Sequence, residues 1–208
     1  MNTQLNISRL KPALFISLTI ACLLFAMSIF YGKNNFFLLL NNDLGKIADH
    51  IFEYATYLGD GIIFIPVLIL FIIYRKKFIP LLAGGFVIST LITHLFKDLL
   101  VPHQPRPTET IANSVQIHTV QGVDVHKIGS FPSGHTTTAF TIFFIACLVI
   151  NKKWVIPVGL LYALLVGYSR IYLAQHFPDD VAGGIMSAII TIILSLWIQQ
   201  WWSKRKEA

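Results

Sequence analysis

The chain is poor in charged residues: Asp, Glu, Lys and Arg together make up 12% of its 208 residues. A soluble globular domain usually carries about twice that share. Hydrophobic residues make up 55% of the chain, and the mean hydropathy is +0.67. This composition excludes an ordinary water-soluble domain. It predicts a polytopic membrane protein, organised as a single membrane-embedded domain over residues 1–208.

Cysteine is also scarce. The two cysteines, Cys22 and Cys147, both lie within apolar runs. Neither their spacing nor their surroundings predicts a metal site or a disulfide framework.

Six apolar segments are each close to the roughly 20 residues that a helix needs to cross a bilayer. They cover residues 12–31, 57–74, 78–96, 132–150, 154–172 and 181–202. Between the first two, apolar residues recur at helical spacing from Leu40 to Ala55 among charged residues, which predicts an amphipathic helix at the membrane interface. The predicted fold is therefore all-α, with six transmembrane helices, an interfacial helix and a long outer loop at residues 97–131.

Basic residues cluster on one side of this predicted bundle. Ten of the sixteen lie at the ends of spans that would share that side: Arg9, Lys11, Arg75, Lys76, Lys77, Lys152, Lys153, Lys204, Arg205 and Lys206. The positive-inside rule then predicts that both termini are cytoplasmic and that the long loop faces outward, in a bacterial-type inner membrane. The formal net charge of +6 is thus explained by topology and contact with membrane lipids, not by nucleic acid.

The stretch that joins the last two spans is unusually rich in ionisable side chains. It holds Arg170, His176, Asp179 and Asp180. His176 and Asp180 are four residues apart, so on a helical turn they share a face. A carboxylate there can accept the proton of one imidazole nitrogen, which leaves the other nitrogen as a base or a nucleophile. Taken alone, a salt bridge at the end of a helix would explain this stretch equally well.

A second set of residues opens the fourth span, with the sequence Phe-Pro-Ser-Gly-His at residues 131–135. Proline suits a first helical turn, and Ser130 could cap it. The backbone N–H groups of Ser133, Gly134 and His135 would then point out of a helix N-terminus, where anions bind. His135 would stand at the mouth of this anion site.

Three of the cations on the predicted outer side, where the positive-inside rule disfavours them, call for an explanation: Lys97, Arg106 and Arg170. An anionic group would explain their presence. Together with a helix N-terminus, two histidines and a carboxylate, they indicate phosphoryl chemistry, in which fixed cations can take the place of a metal. The three sets lack the clustered carboxylates that magnesium would require.

The three sets resemble the pattern of the type 2 phosphatidic acid phosphatase superfamily, which also includes the vanadium haloperoxidases. The second and third family motifs are matched by residues 132–135 and by Ser169, Arg170, His176 and Asp180. The first motif departs from the family pattern, because eight residues separate Lys97 from Arg106 where the family has six. The two extra residues are expected in the loop at 101–105.

The resemblance implies a function for each of these residues. His176 resembles the nucleophile that forms a phosphohistidine, Asp180 its orienting partner, and His135 the acid that protonates the leaving oxygen. The family's phosphate-binding positions correspond to Lys97, Arg106, Ser133, Gly134 and Arg170. The resemblance implies no metal and no other cofactor.

The expected function is therefore removal of phosphate from a phosphorylated membrane lipid. Undecaprenyl pyrophosphate, phosphatidylglycerophosphate, phosphatidic acid and the phosphates of lipid A are the candidate substrates. A phosphotransferase that passes the same phosphohistidine to another lipid is the alternative, since only the acceptor differs. A membrane transporter or interaction protein without enzymatic activity would explain the spans but not the outer cations and histidines.

In the long outer loop, apolar residues alternate with polar ones from Val115 to Val125, which predicts a small hairpin over the site. Two histidines of this loop, His118 and His126, are expected to be exposed to solvent and to bind no ligand.

Overall fold

The computed structural model describes residues 5–111 and 117–207, and these residues contain no β-strand. The all-α prediction is confirmed. The α-helices of the described ranges are α1 Ile7–Tyr31, α2 Lys33–Leu40, α3 Lys46–Tyr57, α4 Phe64–Tyr74, α5 Ile79–His94, α6 Pro107–Thr110, α7 Gly134–Val149, α8 Val155–Tyr172 and α9 Pro178–Glu207. Short 3₁₀ turns precede α4 and α5, and a π-helical turn, Leu95–Leu100, extends α5.

Within the described ranges, four helical segments are long and apolar enough to cross a membrane: Ile7–Tyr31, Lys76–Leu100, Val155–Tyr172 and Pro178–Arg205. The pair Lys46–Tyr57 and Gly61–Tyr74, bent by 60°, forms a fifth if it is one span. Helix α7 is apolar but only 16 residues long. The chain is thus a multi-pass membrane protein, and a count of six complete crossings stays a prediction.

Helix α7 lies at the centre of the bundle. It packs against α1, α5, α8 and α9, and 12 of its 16 residues are buried. A helix that is apolar on all sides suits such a position, since none of its faces meets water. Small residues on the neighbouring helices allow the close approach. A Cβ atom on Gly159 would lie 2.5 Å from the ring of Phe143, and one on Gly85 would lie 2.9 Å from Ile145.

The basic ends of the spans meet at one end of the bundle. Arg9 donates to the side chain of Asn151 at 2.7 Å, beside the C-terminus of α7. The side chain of Gln199, on α9, donates to the carbonyl of Lys77 at 3.0 Å. We call this the basic end. The residues of the three motifs lie at the opposite end, and the side of the membrane that each end faces remains a prediction.

The predicted amphipathic helix is present as α3, but it begins at Lys46 and not near Leu40. The chain breaks its helical path between α2 and α3, where Gly45 has a φ of +85°. Helix α3 leaves Ile47 and Ile51 exposed on one face and packs the ring of Phe52 against Tyr172 at 4.5 Å on the other. Apolar side chains on which no other part of the protein packs are expected for a helix at a membrane interface.

The predicted hairpin is wrong for residues 117–125, and Val115 lies outside the described residues. The apolar side chains of this loop pack inward on the α8–α9 connection instead of on each other. Ile117 joins a cluster with Ile171 and Phe177, and Val120 joins Tyr172. His126 is exposed as expected. The side chain of His118 is only 12% exposed, so the prediction that His118 is exposed to solvent is wrong.

Candidate active site

The turn between α8 and α9 carries a buried pair of ionisable side chains at the motif end. His176 is 1% exposed and Asp180 is 0% exposed, and His176 Nδ1 lies 3.5 Å from Asp180 Oδ2. That oxygen accepts from the Phe177 N–H at 2.8 Å and from the Ser130 hydroxyl, while His176 Nδ1 lies near it without a hydrogen bond. The carboxylate is therefore fixed by the backbone and by a second loop, with the imidazole beside it.

The charge state of His176 follows from its surroundings. Burial lowers the pKa of His176 well below its usual value, and the nearby cations Arg106, Arg170 and Lys97 lower it further. The imidazole is therefore neutral at pH 7, the form in which a ring nitrogen keeps a lone pair for nucleophilic attack.

Helix α7 begins directly beside this pair. The Ser133 hydroxyl caps the helix by accepting from the N–H of Thr136 at 3.4 Å. The Ser133 N–H donates to the backbone carbonyl of Asp180 at 2.9 Å, so this group does not point at an anion as the sequence suggested. The N–H groups of Gly134 and His135 remain at the open first turn, where a helix has no internal acceptors for them. The motifs at residues 132–135 and 169–180 are thus physically joined.

Arg170 is a buried cation with an unused donor. It is 6% exposed, and one of its terminal nitrogens donates to the Thr56 hydroxyl. Its Nε is buried without a hydrogen-bond partner. Buried donors are nearly always paired, so an orphaned guanidinium N–H beside a neutral histidine is what an anion-binding site would show before its ligand arrives.

Arg106 is buried too, but its donors are largely occupied. Its Nε donates to the carbonyl of Ile128 at 3.0 Å, and one terminal nitrogen donates to both the backbone and the side-chain oxygen of Gln175, at 2.8 and 2.9 Å. Burial lowers the pKa of Arg106, while the charge of Asp180 raises it. The guanidinium therefore ties the long loop to the residue that precedes His176.

Lys97 and Arg106 line one cavity despite their longer spacing in sequence. This cavity, of about 520 Å³, is also lined by His103, His126 and Lys127 and by one acid, Asp98. We call it the basic cavity. Lys97 stands on the π-helical turn that extends α5, and the loop at 101–105 follows that turn. The placement of the two extra residues in this loop stays a prediction.

His135 faces a different opening. It lines a cavity of about 200 Å³ with Gly59, Thr93 and Gly134. Gly61 and Thr90 belong both to this cavity and to an apolar groove of about 500 Å³ between α4 and α5. His135 therefore lies between the α7 N-terminus and a groove lined by apolar side chains.

Comparison with known proteins identifies the family. A family model described as the PAP2 superfamily matches residues 78–204, more than half of the chain. The chain belongs to the PAP2 superfamily.

Relatives of this PAP2 chain include enzymes with lipid substrates in their names. The chain is similar to undecaprenyl-diphosphatase BcrC of Bacillus subtilis, with 41% identity over 51% of this chain and 48% of that protein. It thus aligns with about half the length of that relative. It is similar to the lipid A 4'-phosphatase of Porphyromonas gingivalis, with 28% identity over 76% of this chain and 69% of that protein.

The fold is also similar to that of a solved structure. The crystal structure of Aquifex aeolicus LpxE matches with a TM-score of 0.66 and 34% identity, over 77% of this chain and 92% of that one.

One cation at this PAP2 site was missed by the sequence argument. Lys33, on α2, places its Nζ 3.2 Å from Asp179 Oδ2, 3.9 Å from Asp180 Oδ1 and 4.3 Å from the centre of the Phe177 ring. A signal did exist in the sequence, because Lys33 is a lysine at the outer end of the first predicted span, where the positive-inside rule disfavours it. Asp179, in the first turn of α9, is its partner.

Proposed function

We propose that this PAP2 protein is a metal-independent phosphatase that releases phosphate from a phosphorylated membrane lipid through a phosphohistidine on His176. The observation that carries the proposal is a buried, neutral His176 with Asp180 at its Nδ1 and the orphaned donor of Arg170 close by. A histidine held in one tautomer is a competent nucleophile, and fixed cations can neutralise the phosphoryl oxygens.

In the first step, Asp180 keeps the proton of His176 on Nδ1, so the Nε2 lone pair attacks phosphorus. A nitrogen–phosphorus bond forms while the bond from phosphorus to the leaving oxygen breaks. His135, protonated when the negative charge of the bound phosphate offsets the neighbouring cations, gives its proton to that oxygen, and the lipid product departs. In the second step, neutral His135 takes a proton from water, whose oxygen attacks phosphorus. The nitrogen–phosphorus bond breaks, and inorganic phosphate and free His176 result.

The phosphoryl oxygens would be held by Lys97, Arg106, Arg170 and the first turn of α7. Arg170 supplies its unpaired Nε–H, and Gly134 lets the oxygens approach the helix backbone closely. Ser133 contributes through its hydroxyl and the helix cap, since its N–H is already bonded to Asp180. These donors act on charge that develops during transfer, which is where phosphoryl catalysis is most effective.

The apolar groove between α4 and α5 supports a lipid as the substrate. It meets the cavity of His135, so a chain lying in the groove would bring its oxygen to the proposed acid. Undecaprenyl diphosphate and lipid A, named in the relatives, are the first substrates to test. Phosphatidylglycerophosphate and phosphatidic acid complete the panel.

The test is free-phosphate release from these four lipids by the purified full chain in detergent. We expect release from at least one lipid, retained in EDTA, and none from His176→Ala. His50→Gln, a change at an exposed histidine on α3, is the matched control and should keep full activity. Transfer of phosphate to a second lipid without matching free phosphate would identify the phosphotransferase instead. A folded chain that consumes none of the lipids would contradict the proposal.

We also propose that the motif end faces outward from a bacterial-type inner membrane, with both termini in the cytoplasm. In a chain with Cys22 and Cys147 replaced by alanine, Gln121→Cys should be labelled by an impermeant thiol reagent in intact spheroplasts. Lys76→Cys, at the basic end, should be labelled only after lysis. The reverse pattern would overturn this orientation.

A further inference from the structure

A second group of ionisable side chains converges at the motif end, away from the phosphate site. Asp43 lies between α2 and α3, Asp49 lies in the first turn of α3, and His118 lies in the long loop. One side-chain oxygen or nitrogen from each residue lies within 4.8 Å of the other two. His118 Nε2 is 3.1 Å from Asp49 Oδ1. The mechanism proposed above uses none of these residues.

His118 is fixed in place by its backbone and its ring. Its N–H donates to the Asn41 side chain at 2.8 Å, and its carbonyl accepts from the Asn41 amide at 3.2 Å. Asn41 is itself 3% exposed and donates to the carbonyls of Ile171 and Tyr172. The His118 ring packs against Tyr172, with ring centres 4.7 Å apart. A loop histidine is thereby held at the end of α8 with its Nε2 toward the two carboxylates.

The carboxylates are also held in defined positions. Asp49 Oδ1 accepts from the Tyr172 hydroxyl at 2.6 Å, and Asp43 Oδ1 accepts from the Gly45 N–H at 2.7 Å. Second contacts of this kind orient metal ligands before the ion arrives. The pocket stays open to solvent, because the Asp43 side chain is exposed.

The charge balance of the cluster favours a cation. Within residues 5–111 and 117–207, no lysine or arginine forms an ion pair with Asp43 or Asp49. Two neighbouring carboxylates repel each other, and a single histidine proton offsets only one of them. At the candidate phosphate site the reverse holds, since Lys33 lies beside both Asp179 and Asp180 and Arg106 is near Asp180. A divalent cation would remove this repulsion between Asp43 and Asp49.

We propose that Asp43, Asp49 and His118 bind one divalent transition-metal ion of the zinc type. Two carboxylate oxygens and one imidazole nitrogen are ligands that zinc accepts, and a water completes a four-coordinate site. The imidazole disfavours calcium and magnesium, which prefer oxygen ligands.

The ion would fasten the long loop to α3. The same loop supplies the carbonyls of Lys127, Ile128 and Gly129 that bond to Arg106, and that of Asp124, which accepts from Gln175. The ion would therefore stabilise the wall of the basic cavity without touching the reacting phosphate. We expect an effect on stability and not on the chemical step.

The test measures Zn²⁺ binding and thermal unfolding of the purified full chain in detergent, after treatment with EDTA and removal of the chelator. We expect about one Zn²⁺ per chain and a higher Tm with Zn²⁺ present. Asp43→Asn and His118→Gln should each weaken binding at least about 10-fold and abolish the rise in Tm. His50→Gln removes an adjacent exposed histidine outside the cluster and should bind as the wild type does.

Several outcomes would overturn the proposal. They are the absence of Zn²⁺ binding by the folded wild type, and unchanged affinity in Asp43→Asn and His118→Gln. Equal stabilisation by Ca²⁺ that survives His118→Gln would also count against it, since the histidine would then be no ligand. Because the readouts are binding and Tm, the result does not depend on whether the chain releases phosphate from any lipid.

Discussion

The same pair of residue types, a histidine and an aspartate, occurs twice at the motif end in opposite surroundings. His176 and Asp180 are almost fully buried, and Arg106, Arg170 and Lys33 lie around them. The His118 and Asp49 side chains are 12% and 22% exposed, and a second acid, Asp43, lies within 4.8 Å of both.

The difference shows that the neighbours, and not the pair itself, decide what each histidine can bind. Cations beside a buried neutral imidazole favour an anion such as a phosphoryl group. A second carboxylate beside a half-buried imidazole favours a cation. The predictions below test this contrast, from the largest expected effect to the smallest.

The largest effect is expected for His176→Ala, which removes the proposed nucleophile. Turnover should fall by at least about 10⁴-fold, and acid-labile protein phosphate should disappear, because no residue remains to carry it. His118→Gln should keep its phosphate-release rate. For both variants, the phosphate bound to the protein is measured after the reaction is stopped, and its loss in acid is followed. Acid-labile phosphate retained by His176→Ala would refute the assignment.

Asp180→Asn should keep the fold but lose about 10³- to 10⁴-fold in turnover. The amide oxygen can still accept from Ser130 and Phe177, but it carries no negative charge to hold the proton on His176 Nδ1. The magnitude is taken by analogy with the wrong-tautomer loss in a serine-protease triad. Steady-state kinetics measure the loss, and a single cooperative thermal unfolding transition shows that the variant is folded. A loss of less than tenfold would show that Asp180 does not set the tautomer.

His135→Ala should depend on the leaving group. With lipid phosphates, turnover should fall about 10²- to 10⁴-fold, because the departing oxygen needs a proton. With p-nitrophenyl phosphate, whose leaving group needs little protonation, the loss should be markedly smaller. Parallel assays of both substrates check this. Equal losses would leave His135 as a phosphate-binding residue only.

Lys33→Met should reduce kcat by about tenfold with little change in KM, since the lysine lies beside the carboxylates of Asp179 and Asp180. Lys33 is half-exposed, so solvent weakens its effect on the carboxylate. Lys33→Arg should restore most of the rate. Lys46→Met, at an exposed lysine of the same end, serves as the control. An increase confined to KM would place Lys33 on the substrate instead.

The smallest effect concerns acid stability. Because the pKa of His176 is lowered in the folded chain, its contribution to stability is complete above the unfolded value, about 6.5, and declines as pH falls below that value. The slope is at most about 1.4 kcal/mol per pH unit for one proton. Wild-type Tm should thus fall more between pH 7.5 and 5.5 than that of His176→Ala. Parallel slopes would contradict a buried neutral His176.

Much of the phosphate site could be predicted because its information is local. His176 and Asp180 lie one helical turn apart, and Ser133 starts α7, so spacing and capping residues suffice to place them. The structure brings these residues together, while their functions remain predictions. The all-α fold followed from the long apolar runs in the same way.

What the sequence did not predict depends on contacts between distant segments. Lys33 reaches Asp180 only because α2 folds back as a separate helix beside the start of α9. Asn41 binds His118 across 77 residues, and Ile117 packs on the α8–α9 connection where a hairpin was expected. An alternating pattern of apolar residues predicts which side chains are buried, but not which other residues they pack against.

The shortness of α7 has a consequence for how a lipid would be handled. Sixteen residues of helix rise about 24 Å, less than the roughly 30 Å of a hydrocarbon core. With its C-terminus at one boundary of the hydrocarbon core, such a helix would present Gly134 no farther out than the level where headgroups meet hydrocarbon. A lipid phosphate can then reach it while the chains stay dissolved in the bilayer. Pulling even ten methylene groups into water would cost about 8 kcal/mol, and this geometry avoids that cost.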